Sequence, residues 1–541
     1  MKKIIAGVVV FIAVASFVVA IVFFDNESSE SPPLLTSPGA NVMGGDGAAG
    51  GSAFVLPTFA EMSVSAPHTY DKSTYAFRGS SLIDIDGDGT DELWLAGGKG
   101  QRDTVLQYVN GVLEDISTSV GISQKNAVAA GAISIDIDAD SDVDLIVTRE
   151  DGVYMLSNED GTFTEEKIDT TFAPDAIPFS VSAGDINKDG WVDLYISTFI
   201  AFDKFQSASF NNPANRSENK VLLNNGDNTF TDVTESSGLA FNQNTFQTAF
   251  ADLDGDTWQD LIVAPNTDRV YIYKNNGDGT FEQMPALAEF GFWMGLAVED
   301  YDNDGDQDFF VSNVGDTIPE RVGRGDLQDG QVLDREWRFF RNDGNFQFAD
   351  VAKEGGINDH KFGWGGMFGD INNDGEMDLA VAENYIKWPA HKLKKLPGSL
   401  FVQKDGMFHR QISALGVENS FYGTTPLFSD LNTDGHPEII YVNMDSGVRV
   451  FKNSGTDNNY IRIAVPDSVE MIGSVITVTL PDGKTYSKQK IVGQGLMSDS
   501  SADMVFGIGQ QTQVGKIDIT LSSGVTSTIE NPQINTRITL P

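Results

Sequence analysis

The chain of 541 residues has no cysteine. Disulfides, thiol nucleophiles, zinc–thiolate sites and a lipid-modified N-terminal cysteine are therefore excluded. Histidine is scarce: the five are His68, His360, His391, His409 and His436. No HExxH, GxSxG or Walker-type loop accompanies them. His409 alternates with Phe408 as on a strand, and His436 offers at most a carbonyl, so both read as structural. Basic residues are few, 36 Lys+Arg against 78 Asp+Glu, for a formal charge of −42 and a pI near 4.2. Such a field disfavours nucleic acid and anionic lipid as partners of the surface as a whole, and it favours cations. A hydrophobic content of 40% with 35 Phe excludes a disordered acidic polymer.

Lys2 and Lys3 precede an uncharged run from Ile4 to Phe24 in which Ser16 is the only polar side chain. Twenty-one residues at about 1.5 Å each span a hydrocarbon core of roughly 30 Å. The length favours an uncleaved signal anchor (1–24) over a cleaved signal peptide, although Ala13-Val14-Ala15 has the form of a cleavage site. Either reading exports the chain, to a membrane-anchored position facing the periplasm or cell exterior or, after cleavage, as a secreted protein. Residues 25–52, rich in Ser, Pro and Gly, read as a flexible linker.

An acidic nine-residue loop recurs seven times. Positions 1, 3, 5 and 9 are Asp84, Asp86, Asp88 and Glu92 in the first copy; Asp136, Asp138, Asp140 and Asp144 in the second; and Asp185, Asn187, Asp189 and Asp193 in the third. The fourth has Asp252, Asp254, Asp256 and Asp260; the fifth, Asp300, Asp302, Asp304 and Asp308. The sixth has Asp370, Asn372, Asp374 and Asp378; the seventh, Asp430, Asn432, Asp434 and Glu438. Oxygen ligands at these positions, with the carbonyl of position 7, suit a hard cation with six to eight ligands. Calcium fits better than magnesium, which resists dehydration, and zinc or copper would require His or Cys. Without a cation, carboxylates about 5 Å apart repel by roughly 3 kcal/mol per pair at an effective dielectric near 20. The competing reading, solvated Asp-rich turns, suits one copy better than seven in phase. An EF-hand is excluded because position 12 is Leu95, Val147, Ile196, Val263, Val311, Val381 or Tyr441, none a ligand, and the flanks are β-like. About seven calcium sites, each joining the strands of a β-hairpin, are predicted.

A second signature keeps step: a Gly turn followed by an aromatic residue or Leu, as in DGTFTEE (160–166) and GDGTFEQM (277–284). From the first glycine of each copy to the next acidic loop the distances are 25, 24, 26, 23, 26 and 24 residues. One repeat is thus four antiparallel strands, the anatomy of a propeller blade. The seventh repeat lacks its fourth strand, and FAEMSVSAP (59–67) has the form of that strand without a blade of its own. The predicted fold is all-β: a seven-bladed β-propeller over 53–455, closed by its N-terminal strand, with a small β domain over 456–541 packed on or near the ring. Calcium loops and Gly turns share one face. The long connections near 198–219, 313–337 and 383–398 occupy the other, where binding is expected.

These residues resemble the FG-GAP/VCBS repeats of integrin α-subunit propellers, whose similar D-x-D-x-D-G loops bind calcium. FGWGGMFGDINNDGEMDLAVAEN (362–384) is similar to the cartilage acidic protein (ASPIC/UnbV) family, and so is the tail: NNYIRIAV (458–465), IGSVITVTLPDGKTYSKQKIVGQG (472–495) and FGIG (506–509). The chain departs from that family in carrying TLSSG (520–524) where a Trp-Pro-x-Gly segment is frequent, and in lacking the EGF-like module. The resemblance implies an exported calcium-binding protein and names no catalytic residue.

The leading functional reading is a monomeric binding or adhesion module, not an enzyme, whose insertion face holds a protein or glycan partner. Lys387, Trp388, His391, Lys392, Lys394 and Lys395 form a basic and aromatic cluster suited to an anionic glycan or acidic segment, against the alternative that they pair with neighbouring acids. Arg324-Gly325-Asp326 reads as a chance match to an integrin-recognition tripeptide. The alternatives are a propeller enzyme acting on extracellular polysaccharide at the channel mouth, and a calcium buffer with many weak sites.

Overall fold

The computed structural model describes residues 55–65, 78–122, 127–201, 215–317, 320–324, 327–358, 361–387, 392–444 and 446–540. The apolar run of the N-terminus and the linker lie outside these residues. So do Trp388, His391, Gly325 and Asp326, and the side chains of Lys387, Lys392, Lys394 and Lys395. Among the described residues no helix is long and apolar enough to cross a membrane.

Seven sheets contain the four-stranded antiparallel order of a blade. The second blade is representative: Ala129–Ile135, Asp144–Arg149, Gly152–Glu159 and Thr162–Lys167, each strand pairing with the next. Its two inner strands are buried along their whole length, whereas the outermost is exposed apart from Phe163. Innermost strands favour small residues because neighbouring blades converge there. A Cβ at Gly295 would lie 2.5 Å from the Trp364 carbonyl oxygen, and one at Gly365 2.6 Å from Thr425 Oγ1. Hydroxyls tie neighbouring blades together: Thr148 Oγ1 donates to the Phe179 carbonyl (2.7 Å) and Ser180 Oγ to that of Phe246 (2.8 Å).

The N-terminal strand closes the ring. Phe59–Glu61 pairs antiparallel with Arg449–Asn453 and supplies the fourth strand of the last blade. Arg449 grips Glu61 through two bonds of 2.7 Å. Ser63–Val64 then continues parallel to Val112 and Leu113 of the first blade, a pairing with no signal in the sequence. Across the same junction Arg78 Nη1 donates to the Asn443 carbonyl (2.9 Å) and Ser429 Oγ to Asp91 Oδ2 (2.5 Å). After Asp378–Lys387, the strand Lys392–Lys395 pairs back antiparallel onto it.

Residues from Asn459 onward build two further sheets, of three and four strands, around a core that includes Ile461, Ile476, Phe506 and Ile517. This unit does more than rest on the ring. Its segment Lys490–Asp499 enters the central channel and meets the innermost strand of blade after blade. Val492 bridges to Ala183 and Gly495 to Leu296, and Ser498 and Asp499 pair parallel with Ser80 and Ser81. Gln247 donates to the Gly493 carbonyl (3.1 Å) and accepts from Met497 N (2.9 Å). Asp499 Oδ2 accepts from Ser134 N (3.1 Å). Contacts with blades on opposite sides of the ring are available only along its axis, so the segment fills the channel. Leu496 and Met497 join Phe179, Phe199, Phe246 and Trp364 in one apolar cluster. Gly493, at φ +83°, is required here, since a Cβ would stand 2.5 Å from the Val181 carbonyl oxygen.

Candidate metal centres

Each acidic loop connects the first and second strands of its blade and is wound by its own carboxylates. Position 1 accepts from the backbone N–H of position 6: Asp84 from Gly89 (2.8 Å), Asp252 from Thr257 (2.8 Å), Asp370 from Gly375 (2.8 Å). Position 5 accepts from position 7, as Asp189 does from Trp191 (3.0 Å). Position 9 accepts from position 2, as Asp144 does from Ile137 (3.0 Å). The sixth residue turns through positive φ, at Gly89 (+89°) and Gly305 (+101°) but also at Ser141 (+83°) and Thr257 (+74°), the strained cases.

In four loops three carboxylates converge so that one oxygen of each lies within 4.8 Å of the others: Asp84, Asp86 and Glu92; Asp136, Asp138 and Asp144; Asp252, Asp254 and Asp260; Asp300, Asp302 and Asp304. In the third, sixth and seventh loops, Asn at position 3 leaves fewer charges, and its amide group donates within the loop: Asn187 to Asp189 (2.8 Å), Asn372 to Asp374 (2.9 Å), Asn432 to Glu438 (2.8 Å). Asp88, Asp140, Asp256 and Asp308 stand outside the convergent triads of their loops. His436 offers no ring ligand to its loop; its Nδ1 is 2.9 Å from Asn373 Nδ2.

The donor set fits a hard cation. Asp84 Oδ1, Asp138 Oδ1 and Asp430 Oδ1 are buried without a hydrogen-bond partner, although the other oxygens of Asp84 and Asp430 are engaged. Burial pushes the position 9 carboxyls upward, and like charges in the loop add to it. Asp144 rises to about 7, Glu92, Asp193 and Asp260 to about 8, and Asp308 and Glu438 to about 9. Backbone N–H bonds oppose this without overcoming it. Carboxyls so placed stay ionised at neutral pH when a cation shares the loop.

One recurrent functional side chain carries no acid and escapes the motif. The third strand of blades 2–7 bears Asn158, Asn224, Asn275, Asn342, Gln403 and Asn453, each buried. In blades 2–6 the backbone N–H of this residue donates to the position 9 carboxylate, as Asn275 does to Asp260 (2.9 Å). Its side-chain amide reaches the preceding blade's loop at the position 2 carbonyl: Asn158 to Ile85, Asn275 to Ile186, Asn342 to Leu253, Asn453 to Ile371. The signal was an Asn or Gln two or three residues before each turn glycine. The first blade has Tyr108 at this register, so the junction of blades 7 and 1 lacks the staple.

The C-terminal unit covers this same face. Arg462 donates to Asp430 Oδ2 (3.0 Å) and to the Gly89 carbonyl (2.6 Å), joining the seventh and first loops. The Asp467 carbonyl accepts from Asp136 N (2.8 Å), Gln489 from Asp252 N (3.1 Å) and the Ser522 carbonyl from Lys188 (2.8 Å). Lys488 pairs with Glu299, next to the fifth loop, at 3.2 Å, and Asn458 donates to the Asn372 carbonyl (2.9 Å). A cavity of about 120 Å³ remains where this unit meets blades 5–7, lined in part by Glu299, Asp370, Phe428, Arg462 and Lys488.

These features coincide with two known modules. The FG-GAP-like repeat matches residues 136–196, 208–263 and 252–311, and ASPIC and UnbV matches 466–541. The chain thus carries FG-GAP-like repeats within its propeller and a C-terminal ASPIC and UnbV domain. No curated protein matches it. Among solved structures, Sqt1 of Saccharomyces cerevisiae is 10% identical with a TM-score of 0.42, covering 74% of this chain and 100% of its own. An Agrocybe aegerita lectin, described as recognising non-reducing terminal N-acetylglucosamine, is 16% identical with a TM-score of 0.37, covering 70% and 90%. YCF48 bound to D1 peptide is 10% identical with a TM-score of 0.40, covering 74% and 99%. Likenesses at this level bear on neither partner nor chemistry.

Proposed function

We propose that this protein is an exported binding or adhesion module whose propeller is stabilised by calcium. The observation that carries the reading is the convergence of loop carboxylates around buried oxygens that have no hydrogen-bond partner, Asp84 Oδ1 and Asp138 Oδ1. Calcium would be held by positions 1, 3, 5 and 9 of each loop, where it neutralises charge and fixes the turn between two strands. The partner, a protein or a glycan, would bind on the face opposite the loops, because the C-terminal unit occupies the calcium face.

A binding role is supported over catalysis by Lys490–Asp499, which lies along the ring axis where a propeller enzyme would open its substrate channel. The uncharged run of the N-terminus supports export, with the chain tethered or released outside.

Thermal unfolding of the chain in EGTA and across a calcium titration, with bound metal counted, tests the calcium reading. Binding of about seven ions with a rising Tm is expected, because a ligand held by the native state stabilises it by mass action. Melting indifferent to calcium would overturn it. Partner binding that survives calcium-dependent folding but is lost on mutating the insertion face would support the assignment of faces.

A further inference from the structure

The register position just before the buried staple lies over the same blade's acidic loop. In the first blade Gln107 Nε2 donates to Glu92 (3.0 Å). In the fourth, Lys274 Nζ contacts Asp254 and lies 3.0 Å from Asp256 Oδ2. In the seventh, Lys452 reaches only to 3.9 Å from Asp434. Arg341 of the fifth blade turns aside to Asp343 (2.8 Å). Ser157, Leu223 and Val402 stand at this register in the remaining blades and bring no charge. Among the described residues, the fourth loop is thus the one whose position 3 and position 5 carboxylates are both held by a single tethered ammonium.

We propose that Lys274 is a built-in counter-cation of the fourth loop and lowers that loop's affinity for calcium, so that this site empties first as calcium falls. The proposal rests on the calcium reading of the loops. An ion entering the fourth loop must displace an ammonium already in contact with two of its ligands, and the residual positive charge opposes it at short range. A second cation adds to the effect. Lys188 donates to Thr257 Oγ1 (2.8 Å) and stands 4.1 Å from the centre of the Trp258 ring. No other loop has a lysine reaching both carboxylates among the described residues. Divalent binding and the Lys274 contacts are therefore alternatives, and calcium would release this side chain from the loop.

Trp258 and Trp191 occupy position 7 of the fourth and third loops and make the two sites separately readable. Terbium, an oxygen-seeking calcium substitute, would be titrated into the full chain while Trp-sensitised luminescence is recorded, with calcium as competitor. In a W191F background the signal reports the fourth loop, and in a W258F background the third. K274M is expected to lower the terbium midpoint of the fourth loop about tenfold, the combined scale of two partly exposed ion contacts, and to leave the third unchanged. K274R, which keeps the charge, should behave as the parent. If terbium binds and calcium displaces it but K274M leaves the midpoint unchanged, Lys274 is no counter-cation, while the calcium reading stands. If neither loop gives a signal that calcium displaces, the calcium reading falls and takes this inference with it.

Discussion

Arg462 donates to Asp430 Oδ2 at 3.0 Å and, through its other terminal nitrogen, to the Gly89 carbonyl at 2.6 Å. A single side chain of the C-terminal unit thereby bridges the last and first blades at the one junction without an amide staple. Asp503 holds the same guanidinium from the third side at 2.6 Å. Ring closure and attachment of the C-terminal unit are therefore one structural event, made by the N-terminal strand on the outside and by Arg462 at the loop face.

Replacing Arg462 by Met should leave Asp430 buried without its cation, whereas Asp503 keeps Arg537 at 2.7 Å. Both partners are largely buried, Arg462 at 4% and Asp430 at 2% side-chain exposure, so a loss of about 3–5 kcal/mol is expected. Urea unfolding at fixed calcium would measure it. The double change R462M/D430N should recover part of the loss, since the uncompensated charge at Asp430 is then gone.

The staple predicts a second, smaller cost. Asn275→Ala removes the bonds to the Ile186 and Gln259 carbonyls (2.9 and 3.2 Å) and leaves buried acceptors unpaired. Roughly 1–3 kcal/mol of stability should be lost. Asn342→Ala at the next junction should behave alike, and the two losses should add, because they share no partner. Denaturant midpoints of the two single variants and the double variant would check this.

The calcium-free protein should lose stability as pH rises. Asp144, Asp193, Asp260 and Asp308 have folded pKa values raised to about 7, 8, 8 and 9, against about 4 in the unfolded chain. The folded state therefore binds more protons across this window. The stability from these groups is fully present below about pH 4 and falls as pH rises through 7 to 9. Tm in EGTA should decline from pH 5 to pH 9, and saturating calcium should flatten or reverse that slope.

The channel segment predicts a steric effect. Gly493→Val places a side chain where even a Cβ would meet the Val181 carbonyl oxygen at 2.5 Å, and does so at positive φ. The segment must withdraw or the inner strands must part. Faster proteolysis between 490 and 499 is expected, together with a lower Tm, while Gly483→Ala at an exposed turn of the same unit, with open space around it, should leave the channel intact.

The blade architecture was legible because it repeats. An acidic loop and a glycine turn in fixed alternation give strand number and order, and the orphan strand around Phe59–Glu61 had to close the ring, since the last repeat lacks one strand. The acidic loops were legible for the same reason: oxygen donors recur at positions 1, 3, 5 and 9 of every copy. The Asn staple was visible only afterwards, because a single amide before a glycine turn carries no meaning until its partner, a carbonyl some 73 to 89 residues earlier, is brought beside it.

By itself the sequence determined which local pieces form, through alternation, turn residues and the spacing of charges along the chain. Tertiary structure alone decided where the tail goes. IVGQGLM reads as an ordinary apolar segment with two glycines, and nothing local in it specifies a channel. Only when seven innermost strands converge does an axial space exist, narrow enough that glycine and backbone hydrogen bonds must fill it. The same convergence turned Lys274, an unremarkable strand residue in the sequence, into a charge lying against Asp254 and Asp256, because strand register rather than sequence separation sets which side chains meet.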